Sequence, residues 1–97
     1  MKESLAMYEY KKGQLVVSRA GHDKGTFYII NDIQGEYAFL VDGKYKTLLK
    51  PKKKKIKHIQ YLADYCEKLG KNPRDEVYKN ILKQYKKELK AKGISSL

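Results

Sequence analysis

Residues 13–42, GQLVVSRAGHDKGTFYIINDIQGEYAFLVD, contain most of the information about the fold. β-Branched and aromatic residues dominate three runs within this stretch, at residues 14–18, 26–33 and 36–41, and glycine-containing segments separate the runs. This composition is typical of short antiparallel strands joined by tight turns. The stretch therefore predicts a β-meander.

The first two runs differ in how their apolar residues are distributed. The first run is apolar at consecutive positions, which predicts a strand with both faces covered. In the second run, alternation places Phe27, Ile29 and Ile33 on one face, with Tyr28 and Ile30 on the other. The second of these faces ends in the polar residue Asp32.

Two further strands complete the predicted sheet. Asp42-Gly43 is a strong signal for a type I′ hairpin, because both central positions of that turn require positive φ, and it places a fourth strand at residues 44–48. A fifth strand at residues 56–60 would close the sheet into a small barrel, and closure removes exposed edges. Between them lie Pro51, which cannot donate to a ladder, and the four lysines 52–55, which repel one another, so this run is predicted to be an exposed loop.

From Tyr61 the apolar spacing becomes helical. Leu62, Cys66 and Leu69 are four and three residues apart, as on one face of a helix, and Gly70 is a stop signal. Cys66 is interpreted as a small apolar residue on that face, and as the only cysteine it excludes an internal disulfide.

A second helix is predicted from Asn72 as N-cap, with Pro73 at its first position, to about Lys92, before Gly93. Its apolar residues recur every four positions. They are Val77, Ile81, Tyr85 and Leu89, with Tyr78 and Leu82 beside them. The sequence leaves open whether this stripe packs on the sheet or on a partner.

The predicted fold class is therefore mainly β with a C-terminal α part, a five-stranded barrel followed by one or two helices. The predicted organisation is an N-terminal arm at residues 1–12, a barrel at residues 13–60 and a helical extension at residues 61–97. A chain of 97 residues has room for one modest core.

Several functional classes are excluded by the composition. No apolar run approaches the roughly 18 to 20 residues that cross a bilayer, so no membrane association and a cytoplasmic location are predicted. The phosphate-loop, dinucleotide and zinc-protease motifs are missing, and there are only two histidines. The sequence therefore predicts no catalytic residue, metal, cofactor or small-molecule substrate.

The net charge of +11 is unevenly distributed. Residues 1–43 hold five Lys or Arg against six acids, residues 44–60 hold eight Lys and no acid, and residues 61–97 hold nine Lys or Arg against five acids. A concentration of positive charge in one segment is the electrostatic footprint of a polyanion-binding protein. With twenty Lys and two Arg, contacts to phosphates are expected to dominate over base readout.

Two segments supply the candidate binding residues. The loop at residues 19–25 has two glycines, which let the backbone approach a ligand, and the donors Arg19, His22 and Lys24. The basic segment supplies the rest: Lys44, Tyr45, Lys46, Lys50, Lys52, Lys53, Lys54, Lys55, Lys57 and His58. The structural alternative for the loop is a turn that the fold requires. The alternative for the basic segment is a solubilising or targeting run of lysines.

Three tyrosines, Tyr28, Tyr37 and Tyr45, are candidates for stacking on unpaired bases, or else half-buried packing residues. Tyr45 is the strongest stacking candidate because it lies between two lysines.

The segments GQLVVSRAGHDKG and LVDGKYKTLLKPKKKKIKHI resemble the KOW motif, in particular the ribosomal protein L14e/L27e family and related small bacterial KOW-domain proteins. Gly25, eleventh counting from Leu15, stands where that motif has its characteristic glycine. The resemblance covers about residues 13–60. It implies an SH3-like barrel whose strand-connecting loop contacts RNA, with ribosomal RNA or the ribosome as the expected partner.

Two other functions remain open at this point. SH3-like barrels also serve as protein-interaction modules in translation or transcription machinery, in which case the helix stripe would dock on a protein partner. Lysines that bind phosphates are also compatible with a general binder of duplex DNA.

Overall fold

The computed structural model describes residues 9–94, in which five strands and two helices follow one another along the chain. The strands are β1, Gln14–Ser18; β2, Phe27–Gln34; β3, Tyr37–Val41; β4, Lys52–Lys55; and β5, Ile59–Asp64. The helices are α1, Cys66–Leu69, and α2, Asp75–Ala91, and a 3₁₀ turn, Ile56–His58, joins β4 to β5. Most of the predicted N-terminal arm lies outside the described residues.

The strands form one antiparallel sheet in the order β4-β3-β2-β1-β5. The predicted class, a mainly β fold with a C-terminal helix, is confirmed, and β1 has the predicted bounds. Within residues 9–94, β4 and β5 each have one paired neighbour, so the hydrogen-bonded ladder is open between them.

Apolar residues cover both faces of the sheet. One cluster lies between α2 and the sheet and contains Leu15, Ile29, Val41, Leu69, Tyr78, Ile81 and Leu82. The other lies on the opposite face and contains Val16, Tyr28, Ile30, Ala38, Leu40 and Ile59, with Tyr10 packed against it. Because β1 contributes to both clusters, all five of its residues are buried, as the unbroken apolar run predicts.

A β-bulge changes the face that Ile33 occupies. The pairing of β2 with β3 shifts between Ile30 and Asp32, and one extra residue in a strand moves every later side chain to the other face. Ile33 therefore packs with the cluster opposite α2, and the prediction that it shares a face with Ile29 is wrong.

The prediction of an exposed loop at residues 52–55 is also wrong. These lysines form β4 and pair with β3 from Leu40↔Lys52 to Tyr37↔Lys55. A strand separates consecutive side chains onto opposite faces, which relieves the repulsion that was expected to prevent regular structure. The ammonium group of Lys54, whose side chain is 9% exposed, is neutralised by Asp23.

Asp42 and Gly43 form a turn, but the hairpin predicted from them is absent. The Asp42 Oδ1 atom accepts hydrogen bonds from the backbone N–H groups of Lys44, Tyr45 and Lys46, at 2.9, 2.9 and 2.8 Å. A side chain that takes up three N–H groups competes with a strand ladder for them. Residues 44–48 consequently form no strand, which corrects the predicted fourth strand.

Residues 59–64 are a strand where a helix was predicted from Tyr61. This segment pairs along its length with β1, whose second edge needs hydrogen-bond partners once β1 is buried. Tertiary pairing therefore outweighs the helical spacing of a few apolar residues. Of the helix predicted from Tyr61 to Gly70, only α1, Cys66–Leu69, is helical. Gly70 ends it as predicted, with φ of +73°.

α2 begins later than predicted and ends as predicted. Its N-cap is Arg74 instead of Asn72, and the Asp75 Oδ1 atom accepts the backbone N–H of Leu48 at 2.8 Å, so a tertiary contact fixes the helix start. The helix runs to Ala91.

The apolar face of α2 packs on its own sheet, which answers the question that the sequence leaves open. Tyr78, Ile81 and Leu82 are buried against it. The Tyr78 hydroxyl donates to the Asn31 Oδ1 atom of β2 at 3.0 Å. The buried part of this stripe is therefore covered by the protein's own sheet.

Candidate nucleic-acid interface

Asp23, in the connection between β1 and β2, is the centre of a largely buried polar network. Its Oδ1 atom accepts hydrogen bonds from Lys54 Nζ and Ser18 Oγ, and its Oδ2 atom accepts one from the Tyr28 hydroxyl, each at 2.8 Å. Lys54 Nζ also donates to the Ala20 carbonyl at 2.8 Å. The side chains of Lys54 and Asp23 are 9% and 16% exposed, so this ion pair joins β4 to the β1–β2 connection out of contact with most of the solvent.

The network keeps the Asp23 carboxylate ionised. Burial by itself would raise the pKa of Asp23, but the hydrogen bonds from Lys54, Tyr28 and Ser18, together with the charge of Lys54, lower this pKa to about 2. Burial, and then the hydrogen bond and charge of Asp23, raise the pKa of Tyr28, which stays a neutral donor. Lys54 and Tyr28, both candidates for nucleic-acid contacts, therefore have structural partners within the fold.

The loop at residues 19–25 lies beside residues 52–58. The Arg19 backbone N–H donates to the His58 carbonyl at 2.8 Å, and Arg19 Nε donates to Gln60 Oε1 at 2.7 Å. Lys54 makes the other connection, through Asp23 and Ala20. We call these two segments together the loop–strand surface. Two candidate regions that are separate in the sequence are therefore neighbours in the structure.

Gly25 determines the shape of this loop. Its φ of +91° is in the region that favours glycine, and its N–H donates to the Ser18 carbonyl at 2.8 Å, which closes the loop. The prediction of positive φ at Gly25 is confirmed.

The loop–strand surface is strongly basic. Asp23 is the one acidic residue in its two segments, and Lys54 neutralises it. The side chains of Arg19, His22, Lys24, Lys53 and Lys57 are exposed, and those of Lys52, Lys55 and His58 are half-buried. Lys53 Nζ lies 4.4 Å from the centre of the Tyr37 ring, so a cation covers the face of this candidate stacking residue.

Of the other predicted residues, Lys44 and Tyr45 lie beside α2, and Lys46 and Lys50 belong to the same connection between β3 and β4. Gly43 packs so closely on this helix that a Cβ atom there would lie 2.7 Å from the Lys79 backbone nitrogen. The chain that follows is anchored by the hydrogen bond from Leu48 to Asp75. The basic segment is thus divided between the loop–strand surface and the vicinity of α2.

An open groove of about 560 Å³ lies between this turn and α2. One side is formed by Lys44 and Tyr45, and the other by three α2 lysines, Lys79, Lys83 and Lys86. Tyr45 is 76% exposed, and Lys44 Nζ lies 5.1 Å from the centre of its ring. We call this feature the helix groove. Its α2 lysines were not among the binding residues predicted from the sequence, although their spacing of four and three residues was a signal that they share one helix face.

None of the helices described between residues 9 and 94 has the length and apolar character needed to cross a bilayer. In the same part of the chain, no three His, Cys, Asp or Glu side chains come together as a metal site would require.

No protein-family model matches the chain, and a search of curated proteins finds no significant match.

Proposed function

We propose that this chain is a cytoplasmic, non-catalytic RNA-binding protein that uses the loop–strand surface of an SH3-like, KOW-type domain to bind structured RNA, ribosomal RNA in particular. The observation that carries the proposal is the contact between the loop at residues 19–25 and the lysine-rich residues 52–58. Two segments with an excess of positive charge form one surface, and the acid within it is neutralised internally.

The strand arrangement supports an SH3-like barrel. β4 and β5 are the outer strands of the sheet, yet only the turn Ile56–His58 separates them. Four Cα steps reach at most about 14 Å, whereas the outer strands of a flat five-stranded sheet are roughly 19 Å apart. We infer that the sheet curls to bring its edges together, with the cluster of Val16, Ile30 and Leu40 inside the curl.

The chemistry of the surface favours contacts to the RNA backbone. Lysine is a mobile point charge that adapts to phosphates in many geometries, whereas bidentate base readout is the property of arginine. Arg19 is the one arginine of the surface, and its Nε is engaged with Gln60. We expect affinity that depends strongly on salt and weakly on sequence. The KOW resemblance, in which this loop contacts RNA, supports RNA over DNA.

The test is a four-lysine variant, Lys24→Gln, Lys53→Gln, Lys55→Gln and Lys57→Gln, in the full chain. Lys54 is retained because it stabilises the fold. Binding to a fluorescently labelled RNA hairpin is measured as a function of salt. If each lysine neutralises one phosphate of the duplex, the slope of log K against log salt should shrink by about 3 to 4.

The matched control replaces four exposed lysines elsewhere, Lys68, Lys71, Lys87 and Lys92, with Gln, which changes the net charge equally. A control that loses as much affinity and slope as the loop–strand variant would mean that only the net charge matters. A duplex DNA of the same sequence, measured in parallel, separates an RNA-binding protein from a general duplex binder. Equal affinity for both would contradict the RNA assignment.

A further inference from the structure

We propose that the helix groove is a second nucleic-acid site, one that takes a single-stranded segment of RNA. Tyr45 stacks on an unpaired base, and Lys79, Lys83 and Lys86 contact the phosphates that follow it. The inference rests on the proposed RNA-binding function and extends it to α2, which no part of the KOW resemblance covers. It concerns a different surface and a different form of RNA from the loop–strand surface.

Three exposed lysines of α2 form a row, and Lys86 Nζ lies 6.0 Å from the centre of the Phe27 ring. Lys79, Lys83 and Lys86 are spaced by four and three residues on one face and span roughly 10 Å along the helix axis. Like charges at this spacing destabilise a helix, so the row does not stabilise α2. Of the three acids of the helix, Asp75 accepts the Leu48 N–H, Glu88 lies by Gln84, and Glu76 is exposed three residues before Lys79. A row of cations of this length matches the backbone of a short single strand.

Tyr45 is held in place although its side chain is exposed. Its backbone N–H donates to Asp42 at 2.9 Å, and the preceding Gly43 is packed against the backbone of α2. Tyr45 is 76% exposed and contributes little to the core. Lys44 Nζ lies over one face of its ring, and the other face is the surface for a base. Every base has a π-face, so such a contact tolerates many sequences.

The groove also offers apolar contacts between its two basic sides. Phe27 and Leu82 line it, and its volume is within the roughly 300–1,000 Å³ typical of ligand sites. The Oδ1 atom of its one acidic lining residue, Asp42, is engaged by three backbone N–H groups. Cations around apolar and aromatic surface match a nucleotide, which has a charged backbone and a flat base, better than an acidic peptide.

The experiment compares a ten-nucleotide single-stranded RNA with the RNA hairpin, using fluorescence anisotropy and the full chain. The groove variant is Lys79→Gln, Lys83→Gln and Lys86→Gln, and its control is Lys71→Gln, Lys87→Gln and Lys92→Gln. For the single strand, the groove variant should reduce the salt slope by about 2 and the control should leave it unchanged. Tyr45→Ala should weaken single-strand binding by about fivefold to a hundredfold. Tyr45→Phe should bind the single strand as the wild type does, because the ring is retained.

The inference is overturned if the groove variant and its control bind the single strand with the same salt slope. The inference is also overturned if the wild type binds the hairpin but does not bind the single strand. The proposed function stands in that case. If the single strand binds through the groove and the loop–strand variant has no effect on the hairpin, the assignment of the loop–strand surface fails alone. Competition by a short poly-glutamate peptide as strong as that by RNA would identify an acidic protein as the partner and overturn the inference. Thermal melting of each variant verifies that it is folded.

Discussion

Lys53 and Lys54 are neighbours on β4 with identical side chains and opposite surroundings. Lys53 is exposed and lies over the Tyr37 ring, whereas Lys54 is 9% exposed and hydrogen-bonded to Asp23 and Ala20. Breaking a buried ion pair by removing one partner leaves an uncompensated charge, and an exposed cation contributes little to stability.

We therefore expect Lys54→Gln to lower the free energy of unfolding by about 3 kcal/mol. Lys53→Gln should change it by no more than about 0.5 kcal/mol. Urea denaturation of the two variants, which carry the same change in charge, measures the difference. Equal stabilities would show that the Asp23–Lys54 pair does not stabilise the fold.

The low pKa of Asp23 predicts a specific loss of stability in acid. A carboxyl group whose folded pKa lies below its unfolded value of 3.8 stabilises the fold above that value, and this contribution is lost as the pH falls through the folded pKa of about 2. The contribution is about 2 kcal/mol for a difference of this size.

Asp23→Asn removes this titration, so the stability difference between wild type and variant should be constant above about pH 5 and should shrink by about 2 kcal/mol between pH 4 and 2. Denaturant titrations of both proteins at several pH values provide the measurement. A difference that does not vary with pH in this range would contradict the role of Asp23. Comparison with the variant removes the contributions of the other acids.

At the scale of elements, the turn at Gly43 is held against α2 by a contact that only glycine permits. Gly25 and Gly43 both have positive φ, +91° and +78°, but a Cβ atom on Gly25 would meet nothing within 4 Å. A Cβ atom on Gly43 would overlap the backbone of α2 at Asp75 and Lys79.

Gly25→Ala should therefore cost only the backbone strain, about 1 to 2 kcal/mol. Gly43→Ala should cost at least about 3 kcal/mol, because the turn must also move away from the helix. Thermal or urea unfolding of the pair tests this ranking. The reverse order would mean that the turn and α2 are not packed together.

Elements whose signals are local could be predicted from the sequence. β1 has apolar residues on both faces, Gly25 supplies the loop conformation, and Gly93 follows the end of α2. Two of the errors share one cause, a partner far along the chain. Lys54 is compatible with a buried position in a strand only because of Asp23, 31 residues earlier, and residues 59–64 are a strand only because β1 requires a second neighbour.

The candidate site could likewise be predicted only where its signals are local. The lysines at positions 52–57 and the loop at residues 19–25 were recognisable individually by charge and by glycine content. Their contact through Arg19 and His58 depends on the return of β5 to β1, which sequence periodicity does not indicate. The row on α2 was overlooked because its functional meaning depends on Tyr45, which the Gly43 turn brings to the helix.

At the scale of the whole molecule, the sheet has a different covering on each face. α2 packs on one face, and the second apolar cluster covers the other. The basic residues lie on β4, in the strand connections and along the exposed face of α2, outside both clusters. This division lets one small domain present two cationic surfaces, which we propose bind a duplex and a single strand.

The position of β4 at the margin of the sheet has a consequence for self-association. Within the described chain its outer side has no strand partner, and an unpaired strand is a template on which a second copy can add its own. Side-by-side pairing of two β4 strands would bring the lysines of one copy close to the lysines of the other, and like charges opposed across strands are unfavourable. The β4 lysines that we propose bind RNA therefore also oppose polymerisation of the free protein through this strand.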